Sequence, residues 1–118
     1  MGDAYTTASI PEAFGISSRR SDDLVIVTLT GELDAAHVVL VDQAIRAAEK
    51  QDCKTIFIDL RGVSFIDSVG LNVLCAARRR CDRIRFVPSD HDQVARLIAL
   101  TGTEAALGLP ELPEPVSE

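Results

Sequence analysis

The sequence predicts an α/β domain, with a mostly parallel sheet of four to five strands, an antiparallel edge and helices packed on it. Three observations carry this. Residues 24–30 (LVIVTLT) and 55–60 (TIFIDL) are dense runs of β-branched and apolar residues. Between and after them lie stretches whose apolar residues recur at helical spacing. Strands and helices then alternate along the chain, which calls for crossover connections and parallel pairing.

Taken in order, residues 13–18 are expected to form a short edge strand, and Ser21-Asp22-Asp23 is a turn signal. The strand at 24–30 is bounded by Gly31, and Asp34 suits the N-cap of a helix over 35–50 carrying Val38, Val41, Ile45 and Ala48. The strand at 55–60 is apolar at nearly every position, as a strand covered on both faces should be. Arg61-Gly62 is expected to end it, leaving 63–67 as a loop. A helix then starts with Ser68 at or beside its N-cap and runs through Val69, Val73, Leu74 and Ala77 to Arg78, Arg79 and Arg80, whose charges complement the dipole. Residues 84–87 form a short strand stopped by Pro88. Ser89 or Asp90 can cap a third helix with Val94, Leu97, Ile98 and Thr101 on one face and Gly102 as its C′ residue. Leu107 and Leu109 are expected to pack back on the body. The domain is thus expected to span 13–109, between a flexible N-terminus (1–12) and a flexible acidic, proline-containing tail (110–118).

The bulk numbers exclude several classes of function. The 118 residues suit one domain, and with 47% apolar residues they can bury a core without metal or disulfide staples. Net charge is -6 and the sequence pI is near 4.8. That balance argues against general nucleic-acid binding and against docking on anionic membranes. No apolar run is long enough to span a bilayer and no signal peptide is visible, so a cytoplasmic location is expected. Cys53, Cys75 and Cys81 form no CxxC pair and no zinc spacing with His37 or His91, and are read as reduced thiols.

Chemistry in such a sheet gathers in the loops at the carboxyl ends of the strands. Two loops qualify, Gly31-Glu32-Leu33-Asp34 and the stretch from Arg61 to Leu71, and they belong to neighbouring strands. Ser68 reads on physical grounds as a helix cap, and equally as a phosphoacceptor, because a phosphate at a helix N-terminus meets free N–H groups. Phe65 and Ile66 anchor the loop before it, and Gly70 permits another backbone to approach. A hydrolase lacks support, since no G-x-S-x-G elbow exists. Neither G-x-G-x-x-G nor a phosphate loop is present. Asp34, Asp59 and Asp67 are a poor metal set, and no cofactor is called for. Arg78, Arg79, Arg80, Arg83 and Arg85 read as a solvated helix end and strand edge, or as a docking surface for an acidic partner.

Gly31-Glu32-Leu33-Asp34, the stretch Ile58-Asp59-Leu60-Arg61-Gly62-Val63-Ser64-Phe65-Ile66-Asp67-Ser68-Val69-Gly70-Leu71, and Arg96-Leu97-Ile98-Ala99-Leu100-Thr101-Gly102 together resemble STAS domains, and within them the stand-alone anti-sigma factor antagonists of bacteria. The Asp-Ser-x-Gly-Leu of residues 67–71 is the most specific part. The resemblance implies a non-enzymatic partner switch. The unphosphorylated chain binds an anti-sigma factor serine kinase and frees a sigma factor. The kinase phosphorylates Ser68 and lets go, and a serine phosphatase resets the switch. It also implies a partner-binding surface of Asp34, Asp67, Ser68, Val69, Gly70 and Leu71. The alternative is a non-switching STAS scaffold subunit of a larger signalling or lipid-transport complex. Val69, β-branched where many members carry a small or hydroxyl residue, is a departure from the pattern.

Overall fold

The computed structural model describes residues 14–101, and the side chains of residues 14–96. The expectations for the two termini, for Gly102 and for Leu107 and Leu109 lie outside the described residues. Within them the chain forms β1 (Gly15–Ser21), β2 (Leu24–Leu33), α1 (Val38–Glu49), β3 (Thr55–Ile66), α2 (Ser68–Arg80), β4 (Ile84–Val87) and α3 (Asp92–Thr101). The strands lie in the order β1-β2-β3-β4. The β1/β2 pair is antiparallel, and the β2/β3 and β3/β4 pairs are parallel. The result is the anticipated α/β domain with a mostly parallel sheet and one antiparallel edge.

The hairpin between β1 and β2 turns on Asp22, which takes φ 55, a left-handed value that Asp tolerates better than most residues. The core follows from alternation along the strands. Val25, Val27 and Leu29 of β2, Ile56, Ile58 and Leu60 of β3, and Ile84 and Phe86 of β4 pack with Val41, Ile45 and Ala48 of α1 and Leu71, Leu74 and Cys75 of α2. Ile26, Phe57 and Val87 point the other way and form a smaller cluster. Residues 56–60 are accordingly buried without a break, as a strand covered on both faces requires.

Both central strands outrun their glycines. β2 continues through Gly31 to Leu33, and β3 continues through Arg61-Gly62 to Ile66. The expected loop at 63–67 is therefore mostly strand, because Gly31 pairs with Val63, Glu32 with Phe65 and Leu33 with Ile66. The register shifts between Thr28 and Thr30 and again between Gly31 and Glu32. Gly31 absorbs that irregularity with φ 86, a conformation costly for other residues. The glycines mark bulges in the ladder, not its end.

The helix starts also moved. α1 begins at Val38 with His37 as its N-cap residue, so Asp34 does not cap it. Asp34 instead closes a local turn, accepting the Ala36 amide on Oδ1 at 3.1 Å. In α2 the buried stripe runs through Leu71, Leu74 and Cys75, and Val69 is 42% exposed. α3 starts at Asp92, preceded by Ser89, whose hydroxyl accepts the His91 amide at 2.9 Å and donates to the Val63 carbonyl at 2.7 Å.

The arginines expected at a solvated edge are internal staples in two cases. Arg80 pairs with Glu49 at 2.6 Å and faces Asp42 at 3.9 Å, tying α2 to α1. Its guanidinium pKa is raised, chiefly by the hydrogen bond to Glu49. Arg83 donates to the carbonyls of Glu49 (2.6 Å), Cys53 (2.8 Å) and Gln51 (3.2 Å). Its fork fits the turn between α1 and β3, where three main-chain acceptors converge. A docking surface for an acidic partner is not what these two side chains form.

Candidate functional site

The carboxyl ends of β2 and β3 place the two loops singled out in the sequence side by side. β2 delivers Asp34 and β3 delivers Asp67. Asp67 is the N-cap of α2, with extended backbone (φ -103, ψ -179) and its Oδ1 accepting the Gly70 amide at 2.8 Å. Its other oxygen, Oδ2, accepts the Ala35 amide at 3.2 Å. One carboxylate therefore caps one helix and ties down the loop that leads to the other. The cap belongs to Asp67, so Ser68 is not needed for it. Ser68 is the first residue of α2 and is exposed.

The close seating of α2 has a steric origin. A Cβ on Gly70 would stand 2.6 Å from the Leu33 carbonyl oxygen and 2.9 Å from Leu33 Cγ. Only a glycine lets the first turn of α2 lie against the end of β2. The same Leu33 oxygen accepts the Asp67 amide at 3.3 Å, and Leu71 donates its amide to the Asp67 carbonyl at 2.9 Å. Gly70 is buried and Leu71 is 6% exposed. These two seat the helix, and Asp34, Asp67, Ser68 and Val69 are left near its surface.

Sequence reasoning missed several residues at this end. Val39 (65% exposed) and Leu40 (52%) sit in the first turn of α1; Phe65, expected to anchor the loop with Ile66, is instead 43% exposed at the end of β3, and only Ile66 is buried. Val39, Leu40, Phe65 and Val69 are the large apolar side chains most exposed among the described residues. Phe65 and Ile66 also line, with Gln93 and Val94 of α3, an open cleft of ≈ 140 Å³. Val39 and Leu40 break the helical spacing of Val38, Val41 and Ile45, and that excess of apolar residues was the available signal. His37 was weighed as a metal ligand, and its place in this loop was not anticipated. Its ring stacks on Phe14 with centroids 4.4 Å apart, and its Nδ1 lies 2.9 Å from Asp34 Oδ1.

Asp59 is not part of this end. It is 5% exposed and accepts from Arg61 at 3.0 Å (N), 3.1 Å (Nε) and 2.9 Å (Nη2). Asp34, Asp59 and Asp67 are thus occupied by amides and a guanidinium. No group of three or more metal-ligating side chains occurs among the described residues.

Comparison with known proteins finds one family and one fold. The family model for the STAS domain matches residues 15–108. The anti-sigma-B factor antagonist of Staphylococcus aureus is 26% identical over 90 residues, covering 74% of this chain and 83% of that protein. Among solved structures, an anti-sigma factor antagonist from Mycobacterium paratuberculosis superposes with a TM-score of 0.75 at 28% identity, covering 86% of this chain and 88% of that one. The anti-sigma factor antagonist SpoIIAA in its unphosphorylated form shares the fold with a TM-score of 0.64 at 21% identity, over 89% of this chain and 90% of its own. SpoIIAA, a Bacillus cell fate determinant, is also known in a phosphorylated form.

Proposed function

This chain belongs to the STAS domain family, and from that premise we propose that it is a non-enzymatic anti-sigma factor antagonist switched by phosphorylation of Ser68. Unphosphorylated, it binds an anti-sigma factor serine kinase in the cytoplasm and so releases a sigma factor. Phosphorylated on Ser68 it lets the kinase go, and a serine phosphatase restores it. The observation that carries this reading is the division of labour at residues 67 and 68. Asp67 makes the cap, which leaves the Ser68 hydroxyl at an exposed first helical position. In that place a serine is superfluous for stability and accessible to an enzyme.

The surroundings suit a reversible interface. Val69 and Phe65, with Val39 and Leu40 on α1, offer apolar area, and Asp34 and Asp67 supply carboxylates beside it. Gly70 and Leu71 contribute from beneath by fixing the pose of α2. A phosphate on Ser68 adds about -1.5 to -2 charges next to the Asp67 carboxylate. Like-charge crowding and desolvation of the phosphate then oppose the packing of a partner on that surface. A loss of about 3 kcal/mol changes affinity by roughly a hundredfold, enough to redistribute a kinase between two partners.

The test is capture of partners by tagged wild type, Ser68→Ala and Ser68→Asp from lysate of the source cells with ADP present, read by mass spectrometry. The expected result is an anti-sigma-type serine kinase with wild type and Ser68→Ala and its loss with Ser68→Asp. The same non-kinase partners with all three proteins would make the chain a structural subunit instead.

A further inference from the structure

We propose that His37 is a positioning residue: a hydrogen on its Nδ1 clamps the loop between β2 and α1 and so presents Asp34 to the partner in a single pose, a role in docking that rests on the partner-switch reading. The geometry itself does not depend on that reading. His37 Nδ1 lies 3.1 Å from the Glu32 carbonyl oxygen and 2.9 Å from Asp34 Oδ1. A carbonyl oxygen only accepts, and an ionised carboxylate has only lone pairs to offer. A ring nitrogen held between two acceptors must carry the hydrogen, in the neutral ring as in the imidazolium. The hydrogen is then shared between the penultimate residue of β2 and the loop that follows the strand.

The loop has little else to hold it. Ala35 and Ala36 are exposed, so apolar burial contributes nothing across its middle. What remains is polar. The Ala36 amide donates to Asp34 Oδ1 at 3.1 Å, the His37 amide donates to the Asp34 carbonyl at 2.9 Å, and the Ala35 amide donates to Asp67 Oδ2 at 3.2 Å. His37 therefore grips Asp34 at both its main chain and its carboxylate. The Phe14 ring, stacked at 12° to the imidazole, fixes the plane in which Nδ1 points. A segment tied by exposed hydrogen bonds opens easily when one of them is removed. Asp34 then no longer has a defined place on the docking surface.

The test uses the full chain, with selectively labelled histidine, and two variants. His37→Phe keeps a ring to stack on Phe14 and lacks the donor. His37→Asn keeps a donor near the Nδ1 position and lacks the ring. Nitrogen NMR of the neutral wild type is expected to show His37 as the Nδ1–H tautomer. Amide exchange at Ala36 should accelerate in His37→Phe by about fivefold, the equivalent of one net hydrogen bond, and be largely restored in His37→Asn. On a Ser68→Ala background, affinity for the captured kinase should fall and recover in the same order. An Nε2–H tautomer in the wild type, or unaltered exchange in His37→Phe, overturns the clamp. Absence of kinase binding in every variant, wild type included, removes the partner reading and the docking role together. In that case tautomer and exchange rates still decide whether the clamp exists.

Discussion

The Leu33 carbonyl oxygen and Gly70 stand so close that a Cβ on Gly70 would lie 2.6 Å from that oxygen. Leu33 is held by its pairing with Ile66 and is fully buried, so the carbonyl has no easy direction in which to retreat. In an ordinary helix, replacing Gly by Ala adds about 1 kcal/mol of stability. Here the sign reverses. Gly70→Ala is expected to destabilise the fold by about 1–3 kcal/mol through overpacking. Chemical denaturation of the two proteins decides it, and a more stable Gly70→Ala would contradict the close seating of α2.

Asp67 makes two bonds with one carboxylate, and the two can be separated. Asp67→Ala loses the cap on the Gly70 amide and the tie to the Ala35 amide, at a cost of about 1–2 kcal/mol. Asp67→Asn keeps one acceptor oxygen, so it should retain one bond and fall between wild type and Asp67→Ala. Amide exchange at Gly70 and Ala35 shows which bond survives. Equal stability of all three proteins is the outcome that removes the cap from the account.

Arg83 reaches three main-chain carbonyls between Glu49 and Cys53. Truncation leaves those acceptors without the charged donor, and Arg83→Ala is expected to cost about 2 kcal/mol. Arg83→Lys should recover less than half of that, because an ammonium cannot serve three acceptors spread around a turn. By contrast, Arg46 pairs with Asp42 on the exposed face of α1, and Arg46→Ala should cost no more than about 0.5 kcal/mol. Thermal unfolding of the three variants ranks them, and a cheap Arg83→Ala would mean that water replaces the guanidinium without loss.

The thiols differ in environment. Burial pushes the Cys75 thiol pKa up, with Arg79 opposing in part. A raised pKa leaves less thiolate at a given pH, so alkylation of Cys75 should be slow near pH 8 and should keep rising beyond the ordinary thiol range. Cys53 is buried and Cys81 only partly so. Iodoacetamide followed by peptide mapping should therefore find Cys81 modified first. Cys75 reacting ahead of Cys81 in the folded protein is the contrary result.

Much of the fold was legible because its signals are local. The strand runs at 24–30 and 55–60 and the buried stripe Val41, Ile45, Ala48 follow from side-chain periodicity, which a sequence displays directly. The strand ends were not legible. Gly31 and Gly62 look like terminators in one dimension, and only their pairing partners, Val63 and Thr30, show that the ladder continues through them. The helix caps were only partly legible: Ser68 does stand beside the N-cap of α2, as expected, but Asp34 does not cap α1. Asp34 and Ser68 are both good capping residues by type, and the structure assigns neither cap to them. Asp67 outcompetes Ser68 because it starts the helix from an extended backbone, and its second oxygen gains the Ala35 amide as well.

The sequence by itself determined the order of elements and the parallel sheet with its antiparallel edge, and it singled out Asp67-Ser68-Val69-Gly70-Leu71 as the segment on which the proposed function rests. Each of these depends on residue type and spacing along the chain. Tertiary structure decided what the neighbours of that segment are. It brought Ala35 to Asp67 across 32 residues and packed the Leu33 carbonyl against Gly70. It also set His37 between two oxygen acceptors and freed Ser68 from capping. The physical reason is that hydrogen bonding and close packing are satisfied by whichever groups the fold brings within reach, and the pairing of β2 with β3 is what brings these together.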